Sequence, residues 1–392
     1  MRCSQSFGSP KARRRCCETE PLWRQTCAPP LPAASCGPDG DGRMDRGRDD
    51  VDTLRGLACL LLVAFRVIGD NPSNGLRLEP DHALAMSEAM AVHFRLPLFA
   101  AIAGFVYAFR PAAPGRLGGF AAGKLKRLAI PAAFAITCFW AMNTVFGGGY
   151  AVPPGQVYEI WLFAYAHFWF IQAILILFLI AAAVDVALSR RPLLAAGLML
   201  TVSVALFLSP LAAETRVLSL GQMIYIAPFF VFGILLNRLP GALPGRIAPV
   251  IALVALGMFG WHVMDVLADP GAALERRALT SLVAGAVISA ALILYRFPVA
   301  PLAWAGRYSF TIYLYHFFPI LILQRVWEMA GVRPAWIGFA VGMAAGVFLP
   351  VLLHWIAVKL GWIVPRLVLG IEGRKAAGGR MPASRLPEKA GA

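Results

Sequence analysis

The stretch VDTLRGLACLLLVAFRVIG, residues 51–69, decides the class of fold. It is an apolar run close to the ~20 residues that cross a bilayer as a helix, yet it contains Arg55 and Arg66. A charged side chain costs at least ~2.5 kcal/mol near the bilayer centre, so each arginine marks a candidate functional position. Their spacing of eleven residues returns to nearly the same helix face about 16 Å further along the axis, so one face carries a cation near each membrane boundary.

The composition places the whole chain in the membrane class. Of its 392 residues, 59% are hydrophobic and 15% are charged, and the mean hydropathy is +0.67. A soluble protein could not solvate so much apolar surface. The formal charge of +15 is typical of cytoplasmic loops on an anionic lipid bilayer. No basic patch with interleaved aromatic residues is present outside the apolar runs, so we expect no nucleic-acid partner.

Apolar runs of spanning length recur along the chain and predict an all-α, polytopic membrane helix bundle of about ten transmembrane helices. The predicted spans are 52–69, 90–109, 127–146, 160–184, 192–208, 218–236, 247–268, 278–296, 307–326 and 335–358. With the N-terminus inside, alternate loops divide the 36 Lys and Arg residues unequally, and most fall on the cytoplasmic side. The positive-inside rule therefore predicts N-in/C-in topology, with both termini cytoplasmic.

The two ends of the chain differ from its middle. Residues 1–50 are predicted to be a disordered basic leader and residues 371–392 a disordered cytoplasmic tail, on either side of a membrane domain at 51–370. Five of the seven cysteines lie within the first 36 residues, without the paired spacing of a zinc site, so we expect no metal. Met44 stands just ahead of the first span, and we favour it as the true start, with 1–43 a mis-called extension.

Four side chains are candidates for chemistry within the spans. In the predicted topology, Arg66 in the first span and His93 and Arg95 in the second lie at a similar depth near the outer boundary. Two adjacent arginines repel unless an anion or carbonyl groups lie between them, and the alternative for Arg66 is snorkelling to the interface. His316 lies near mid-bilayer in the ninth span. A neutral imidazole there acts as a general base, positions an acceptor, or is a hydrogen-bonded core residue.

The aromatic sequence YAHFWFIQA, residues 165–173, contains His167 and Trp169 at the outer part of the fourth span. It fits either an interfacial aromatic belt or a face on which a sugar stacks. None of the 21 acidic residues lies well inside a predicted span, which disfavours a proton relay and a paired-carboxylate glycosidase site.

Four stretches together resemble the integral-membrane acyltransferase family 3, the O-acyltransferases of cell-surface glycans and related acceptors. They are DTLRGLACLLLVAFRV (52–67), FRLPLFAAIAGF (94–105), HFWFIQAILILF (167–178) and GRYSFTIYLYH (306–316). With the matching spans, the resemblance covers roughly residues 50–370. It implies transfer of an acyl group, acetyl or similar, from cytoplasmic acyl-CoA to a hydroxyl of an extracytoplasmic carbohydrate or lipid-linked acceptor. It also implies a multi-pass protein of the bacterial inner membrane.

The resemblance implies roles for individual residues. Arg55 would steady the donor, and Arg95 would polarise or orient a carbonyl. The cytoplasmic loop that contains Lys124, Lys126 and Arg127 carries no acid and would bind the CoA phosphates.

One position departs from the family pattern. The family's opening helix carries Arg, ten intervening residues and then a His that is taken to be the base. Here that position is Arg66, whose guanidinium cannot accept a proton near neutral pH. We expect His93 or His316 to substitute, or the activity to be impaired.

Two other classes of function remain open. A non-catalytic relative would bind or pass an anionic lipid or glycan, since Arg66 and Arg95 form a better anion clamp than a His–Arg pair. A secondary transporter is the other alternative. The lack of carboxylates in the predicted spans and the lack of interrupted helices in two halves count against it.

Overall fold

The computed structural model describes residues 40–69, 74–211, 215, 217–240, 242–271, 275–295, 297–332, 335–360 and 363–370. Over these ranges the chain is all-helical, and an isolated bridge pairs Phe163 with Val217. The chain divides into two units, 1–44 and 45–392. All of the described residues except 40–44 belong to the second unit. Residues 1–39 of the predicted leader lie outside the described residues. The whole of the predicted tail, residues 371–392, lies outside them too.

The helices are rich in apolar residues, as membrane spans are. A helix is the suitable element in a bilayer because it satisfies its own backbone polar groups, for which the bilayer offers no partner. In chain order they are α1 (Gly40–Ile68), α2 (Ala83–Ala91), α3 (Arg95–Tyr107), α4 (Leu117–Lys124), α5 (Ile130–Phe146), α6 (Glu159–Leu162), α7 (Trp169–Ala187), α8 (Pro192–Leu208), α9 (Leu220–Arg238), α10 (Ala242–Ala268), α11 (Leu279–Leu294), α12 (Ala300–Arg307), α13 (Ser309–Tyr315), α14 (Phe317–Met329), α15 (Ala335–Lys359) and α16 (Ile363–Leu369).

Among the described residues, six helical segments are long and apolar enough to cross a membrane. They are Ala83–Tyr107, Leu117–Phe146, Trp169–Ala187, Leu220–Arg238, Gly245–Ala268 and Ala335–Lys359. Two shorter apolar helices, α8 and α11, accompany them. The all-α, multi-pass class predicted from the sequence is therefore confirmed, whereas the count of ten and the N-in/C-in orientation stay predictions.

Three of the predicted spans, 90–109, 160–184 and 307–326, are not continuous helices, and the second of them breaks between α6 and α7. A proline follows each of the other two breaks. The helical run breaks between α2 and α3, just before Pro97, and again at His316, just before Pro319. Proline cannot donate to the carbonyl four residues earlier, so the chain leaves the regular ladder ahead of each. Each of these two breaks places backbone carbonyls and a histidine, His93 or His316, beside one another inside the helical layer. One argument against a transporter is thereby lost.

Close backbone packing fixes the helix that carries Arg95. α3 crosses α9 at two glycines: a Cβ on Gly104 would lie 1.8 Å from the Phe230 carbonyl oxygen, and one on Gly233 would lie 2.0 Å from that of Ala101. Only glycine allows both backbones to approach this far. The start of α3 is therefore held firmly against the core of the bundle.

The first helix begins earlier than predicted. α1 starts at Gly40, so it already includes the end of the segment 1–50 that was predicted to be disordered. Further along, Val63 and Val67 of α1 pack against Gly346 and Gly342 of α15. This contact places the C-terminal end of α1, with Arg66, beside the other elements of the site.

Candidate active site at the interrupted helices

Arg66 and Arg95 both lie close to one aromatic ring, that of Phe65. The guanidinium carbon of Arg95 lies 3.8 Å from the centroid of Phe65, and that of Arg66 lies 4.9 Å from it. The sequence prediction that these two arginines share one depth agrees with this arrangement. Arg95 is 1% exposed and its Nη1 donates to the Glu88 carboxylate. Arg66 is half-buried.

Glu88 is a site residue that sequence reasoning missed. It lies in α2, which belongs with α3 to the candidate span Ala83–Tyr107, and its side chain is 10% exposed. The predicted span began only at residue 90, so the sequence assigned Glu88 to an outer loop. Its spacing of seven residues from Arg95, about two helical turns, was the signal that could have revealed the pair. The sequence analysis placed no acid well inside a span, and Glu88 lies near the first residue of this candidate span.

His316 occupies the break between α13 and α14 and is fully buried. Its Nδ1 lies 2.9 Å from the carbonyl oxygens of both Ile312 and Tyr313. Both neighbours are acceptors, so Nδ1 carries the proton and donates, and Nε2 keeps the lone pair. Nε2 has no hydrogen-bond partner among the residues that the structure describes. This is the protonation state that a general base requires.

A second buried imidazole accompanies His316. The ring centroid of His167 lies 4.9 Å from that of His316, and the Tyr313 hydroxyl donates to the backbone carbonyl of His167. The Arg66 guanidinium is close enough to interact electrostatically with both rings. His167 was predicted to offer a sugar-stacking face, but it is only 2% exposed and lies with His316 in the interior of the cluster.

Phe317 separates the arginines from the imidazoles. Its ring centroid lies 5.0 Å from the Arg66 guanidinium carbon and 6.2 Å from the His316 ring, and it stacks on Phe139 at 5.5 Å. Phe317 and Arg66 line a small cavity of about 80 Å³, here called the inner cavity. A small group that enters this cavity would meet a guanidinium on one side and, behind the phenyl ring, the His316 pair on the other.

His93 and Trp169 lie outside this cluster. The ring of His93 packs against His262 with centroids 4.3 Å apart, and His262 Nε2 lies 3.0 Å from the carbonyl oxygen of Ala89. Trp169, at the start of α7, makes an edge contact with Phe170 at 5.9 Å. The structure thus brings together Arg66, Arg95, His167 and His316, but not His93 and Trp169.

The cations that were predicted to bind the donor form a second group. They lie on α1, at the C-terminal end of α4 and on the turn that follows α4. Arg55 Nη1 lies 3.2 Å from the carboxylate of Asp52, three residues earlier in the same helix. The Lys124 ammonium interacts electrostatically with Arg55 and Arg127, and it lies 3.5 Å from the centroid of Phe178. Lys126 is exposed on the π-helical turn Leu125–Ala129, which also carries Arg127. Such turns insert an extra residue into the helix and are frequent at functional sites.

No group of three or more His, Cys, Asp or Glu side chains is arranged to hold a metal ion within the described ranges. The cluster described above offers fixed cations and imidazoles. Arginine donors stabilise a developing negative charge, and an imidazole lone pair removes a proton.

The helices of membrane-spanning length and the buried cluster of arginines and histidines indicate a polytopic membrane protein with a site inside its helical bundle. Comparison with known families identifies it further: an acyltransferase domain model matches residues 48–355, more than half of the chain, so the protein belongs to acyltransferase family 3. No curated protein and no solved structure matches the chain. The protein is accordingly a multi-pass membrane protein of an acyltransferase family.

Proposed function

We propose that the protein is an acyl-CoA-dependent O-acyltransferase of the bacterial inner membrane. It moves an acetyl or similar acyl group from cytoplasmic acyl-CoA to a hydroxyl of an extracytoplasmic glycan or related acceptor, through a bundle of ten spans with both termini inside. The observation that carries the proposal is that Arg66 lines the inner cavity together with Phe65, which contacts Arg95, and Phe317, which contacts His316, in a chain of an acyltransferase family.

In the proposed reaction the acceptor oxygen attacks the thioester carbonyl. His316 takes the hydroxyl proton on Nε2, the C–O bond forms, the C–S bond breaks, and the CoA thiolate leaves and is protonated to the free thiol. Arg66 and Arg95 stabilise the oxyanion that develops on the carbonyl. The free lone pair of His316 Nε2 supports its role as the base. His316 itself does not line the inner cavity, so the Phe317 ring has to turn aside when the acceptor enters.

On the other side of the membrane, Arg55, Lys124, Lys126 and Arg127 bind the donor. Their guanidinium and ammonium groups suit the phosphates of CoA. The electrostatic coupling of Lys124 with Arg55 and Arg127 supports this, since like charges gathered this closely favour an anionic ligand between them.

The function is tested with membranes that contain the protein and labelled acetyl-CoA. We expect acetyl groups on surface glycans, detected by mass spectrometry, and none in membranes that lack the protein. No difference between the two membranes, at normal expression, would rule out the acyltransferase.

A non-catalytic relative that binds an anionic lipid or glycan is the second candidate. Two guanidiniums on one phenyl ring favour it, although the Glu88 carboxylate already neutralises Arg95. Binding of a glycan without any consumption of acyl-CoA would support this candidate over the enzyme.

A further inference from the structure

The inner cavity adjoins a larger cavity that is lined by polar groups. The larger cavity encloses about 390 Å³, and its lining includes Arg77 and Glu328. Gly75 and Gln324 line both cavities, so the two spaces meet at these residues. The inner cavity holds about 80 Å³ and has the Arg66 side chain in its wall. A polar space needs only about 10–15 Å³ to hold one water molecule, so we expect water in both cavities.

His316 lies beyond the wall of the inner cavity. It is fully buried, and its Nε2 is buried without a hydrogen-bond partner among the residues that the structure describes. The Phe317 ring lines the inner cavity and contacts both imidazoles, with centroids 6.2 Å from that of His316 and 5.5 Å from that of His167. The Phe317 ring therefore stands between the water of the inner cavity and the proposed base.

Three contacts hold the Phe317 ring in this position. It stacks on Phe139 at 5.5 Å with an interplanar angle of 20°, and Tyr150 meets it edge-on at 5.7 Å. The Arg66 guanidinium carbon lies 5.0 Å from its centroid. A single water molecule offers too little binding energy to displace a ring that is packed in this way. An acceptor that fills the cavities offers much more, and binding energy of this kind is what drives an induced fit.

An unshielded base would turn the acyltransferase into a hydrolase. A base that removes a proton from an acceptor hydroxyl can also remove one from water. The water oxygen would attack the thioester carbonyl, and His316 Nε2 would take the water proton. The C–O bond would form, the C–S bond would break, and the CoA thiolate would take the proton from His316. The products would be acetic acid and free CoA thiol, so the exclusion of water prevents the waste of the donor.

We infer that Phe317 sets the selectivity for acyl transfer over hydrolysis, because its ring keeps water from His316 Nε2 until an acceptor turns it aside. This inference rests on the proposed function and adds the residue that decides between two nucleophiles at the same site. Phe317 makes no bond to the reacting atoms. Its loss should therefore expose an acyl-CoA hydrolase activity that the natural chain suppresses, whereas the loss of His316 should remove both reactions.

The test uses the purified full chain in lipid nanodiscs with acetyl-CoA and no acceptor, and it follows the release of free thiol and acetate. Phe317→Ala should release thiol at least about tenfold faster than the natural chain, a fraction of the roughly 10²- to 10⁴-fold that a general base supplies. Phe317→Leu, which keeps an apolar side chain in the core, should give an intermediate rise. Addition of His316→Asn to Phe317→Ala should return the rate to that of the natural chain.

Phe318→Ala is the matched control. Phe318 is the next residue, and its ring also contacts Phe139, with centroids 5.2 Å apart. It is not among the described residues that line the inner cavity. Its removal takes the same ring from the same aromatic cluster without opening the wall, so thiol release should stay at the rate of the natural chain. An equal rise in Phe318→Ala and Phe317→Ala would overturn the inference, since any loosening of the cluster would then suffice.

Chemical labelling of His316 separates the failure of this inference from that of the proposed function, because it needs no acyl transfer. Diethyl pyrocarbonate reacts with an accessible imidazole lone pair, and mass spectrometry of the peptides reports how fast each histidine reacts. His316 should react several-fold faster in Phe317→Ala than in the natural chain. The internal reference is His82, which is half-buried and accepts from the Leu84 amide through Nδ1.

The two measurements together decide every outcome. Faster labelling of His316 with faster thiol release supports the inference, and unchanged labelling overturns it. Faster labelling in a protein that neither transfers acetyl groups nor releases thiol would remove the enzyme but keep Phe317 as the barrier. Faster labelling with normal acetyl transfer and no extra thiol release would overturn the role of Phe317 in selectivity. Extra thiol release that survives His316→Asn would overturn it too, since another group would then activate the water.

Discussion

Two histidine pairs can be compared within this one chain. His167 and His316 have ring centroids 4.9 Å apart, and His93 and His262 have centroids 4.3 Å apart. In each pair one member stands at a helix interruption that precedes a proline. The chemical groups are therefore the same, and only the surroundings differ.

The surroundings assign different roles to the two pairs. His316 adjoins Phe317, which lines the inner cavity, and Arg66 acts electrostatically on both rings of its pair. In the other pair, His262 is committed to the carbonyl of Ala89. A histidine within the bilayer is thus not by itself a sign of catalysis. Its neighbours, an arginine cluster and a space for substrate, carry the functional information.

The largest expected effect tests the difference between the two histidine pairs directly. His316→Asn removes the proposed base while keeping a polar side chain, and kcat for acetyl transfer should fall about 10²- to 10⁴-fold, the usual contribution of a general base. His93→Asn is the matched control and should change kcat by less than about threefold. Steady-state rates at equal protein amounts in the membrane measure both. Equal losses in the two variants would contradict the distinction between the pairs.

The next effect concerns the stability of the arginine cluster that distinguishes the pairs. Glu88→Gln leaves the Arg95 guanidinium buried without its carboxylate, which should lower the free energy of unfolding by about 3–5 kcal/mol. Glu328→Gln, whose carboxylate is 31% exposed and pairs with the still more exposed Arg77 and Arg325, should cost no more than about 1 kcal/mol. Unfolding in mixed micelles measures both. A Glu88→Gln chain as stable as Glu328→Gln would show that the buried pair does not hold the cluster.

A smaller effect tests the departure from the family at the first helix. Arg66→His places an imidazole where the family is taken to have its base. Since Arg95 still stabilises the oxyanion and the gain from a second base outweighs the loss of one of the two guanidiniums, the rate should rise about tenfold, toward the range that a well-placed base supplies. Arg66→Lys, which keeps the charge but adds no base, is the control and should not raise the rate. Acetyl transfer at saturating donor measures the change. An unchanged rate in Arg66→His, with normal expression, would mean that no base has been lost.

The smallest expected effect lies within the His167–His316 pair. Tyr313→Phe removes the hydroxyl that donates to the His167 carbonyl, a loss of about 0.5–1.5 kcal/mol for one hydrogen bond. The rate should fall a few-fold because the pair is held less firmly. Tyr165→Phe removes a comparable bond, from the Tyr165 hydroxyl to the carbonyl of Tyr150, and should leave the rate closer to that of the natural chain.

The sequence predicted the class of fold and part of the site. Long apolar runs have few other solutions than membrane helices, and the position of Arg66 and Arg95 at one depth follows from counting residues from the membrane boundary. The helix breaks were not predicted, because hydropathy measures the length of an apolar run and not its continuity. Pro97 and Pro319 were visible in the sequence, but proline is tolerated within many membrane helices.

The rest of the site depends on tertiary contacts. Nothing local in the sequence shows that His316 meets His167, which lies on a distant part of the chain, or that His93 faces His262 instead. Glu88 was missed for a different reason: the span was drawn from residue 90, and the carboxylate lies just before that boundary.

The central claim is that His316 is the base in the natural chain, and a double-mutant cycle on kcat tests it most directly. The cycle combines His316→Asn with Arg66→His. The account predicts a large loss from His316→Asn when residue 66 is Arg, and a loss at least tenfold smaller when residue 66 is His, because the new imidazole takes over proton removal. The same loss in both backgrounds would contradict the account, since His316 would then act through structure and not as the base.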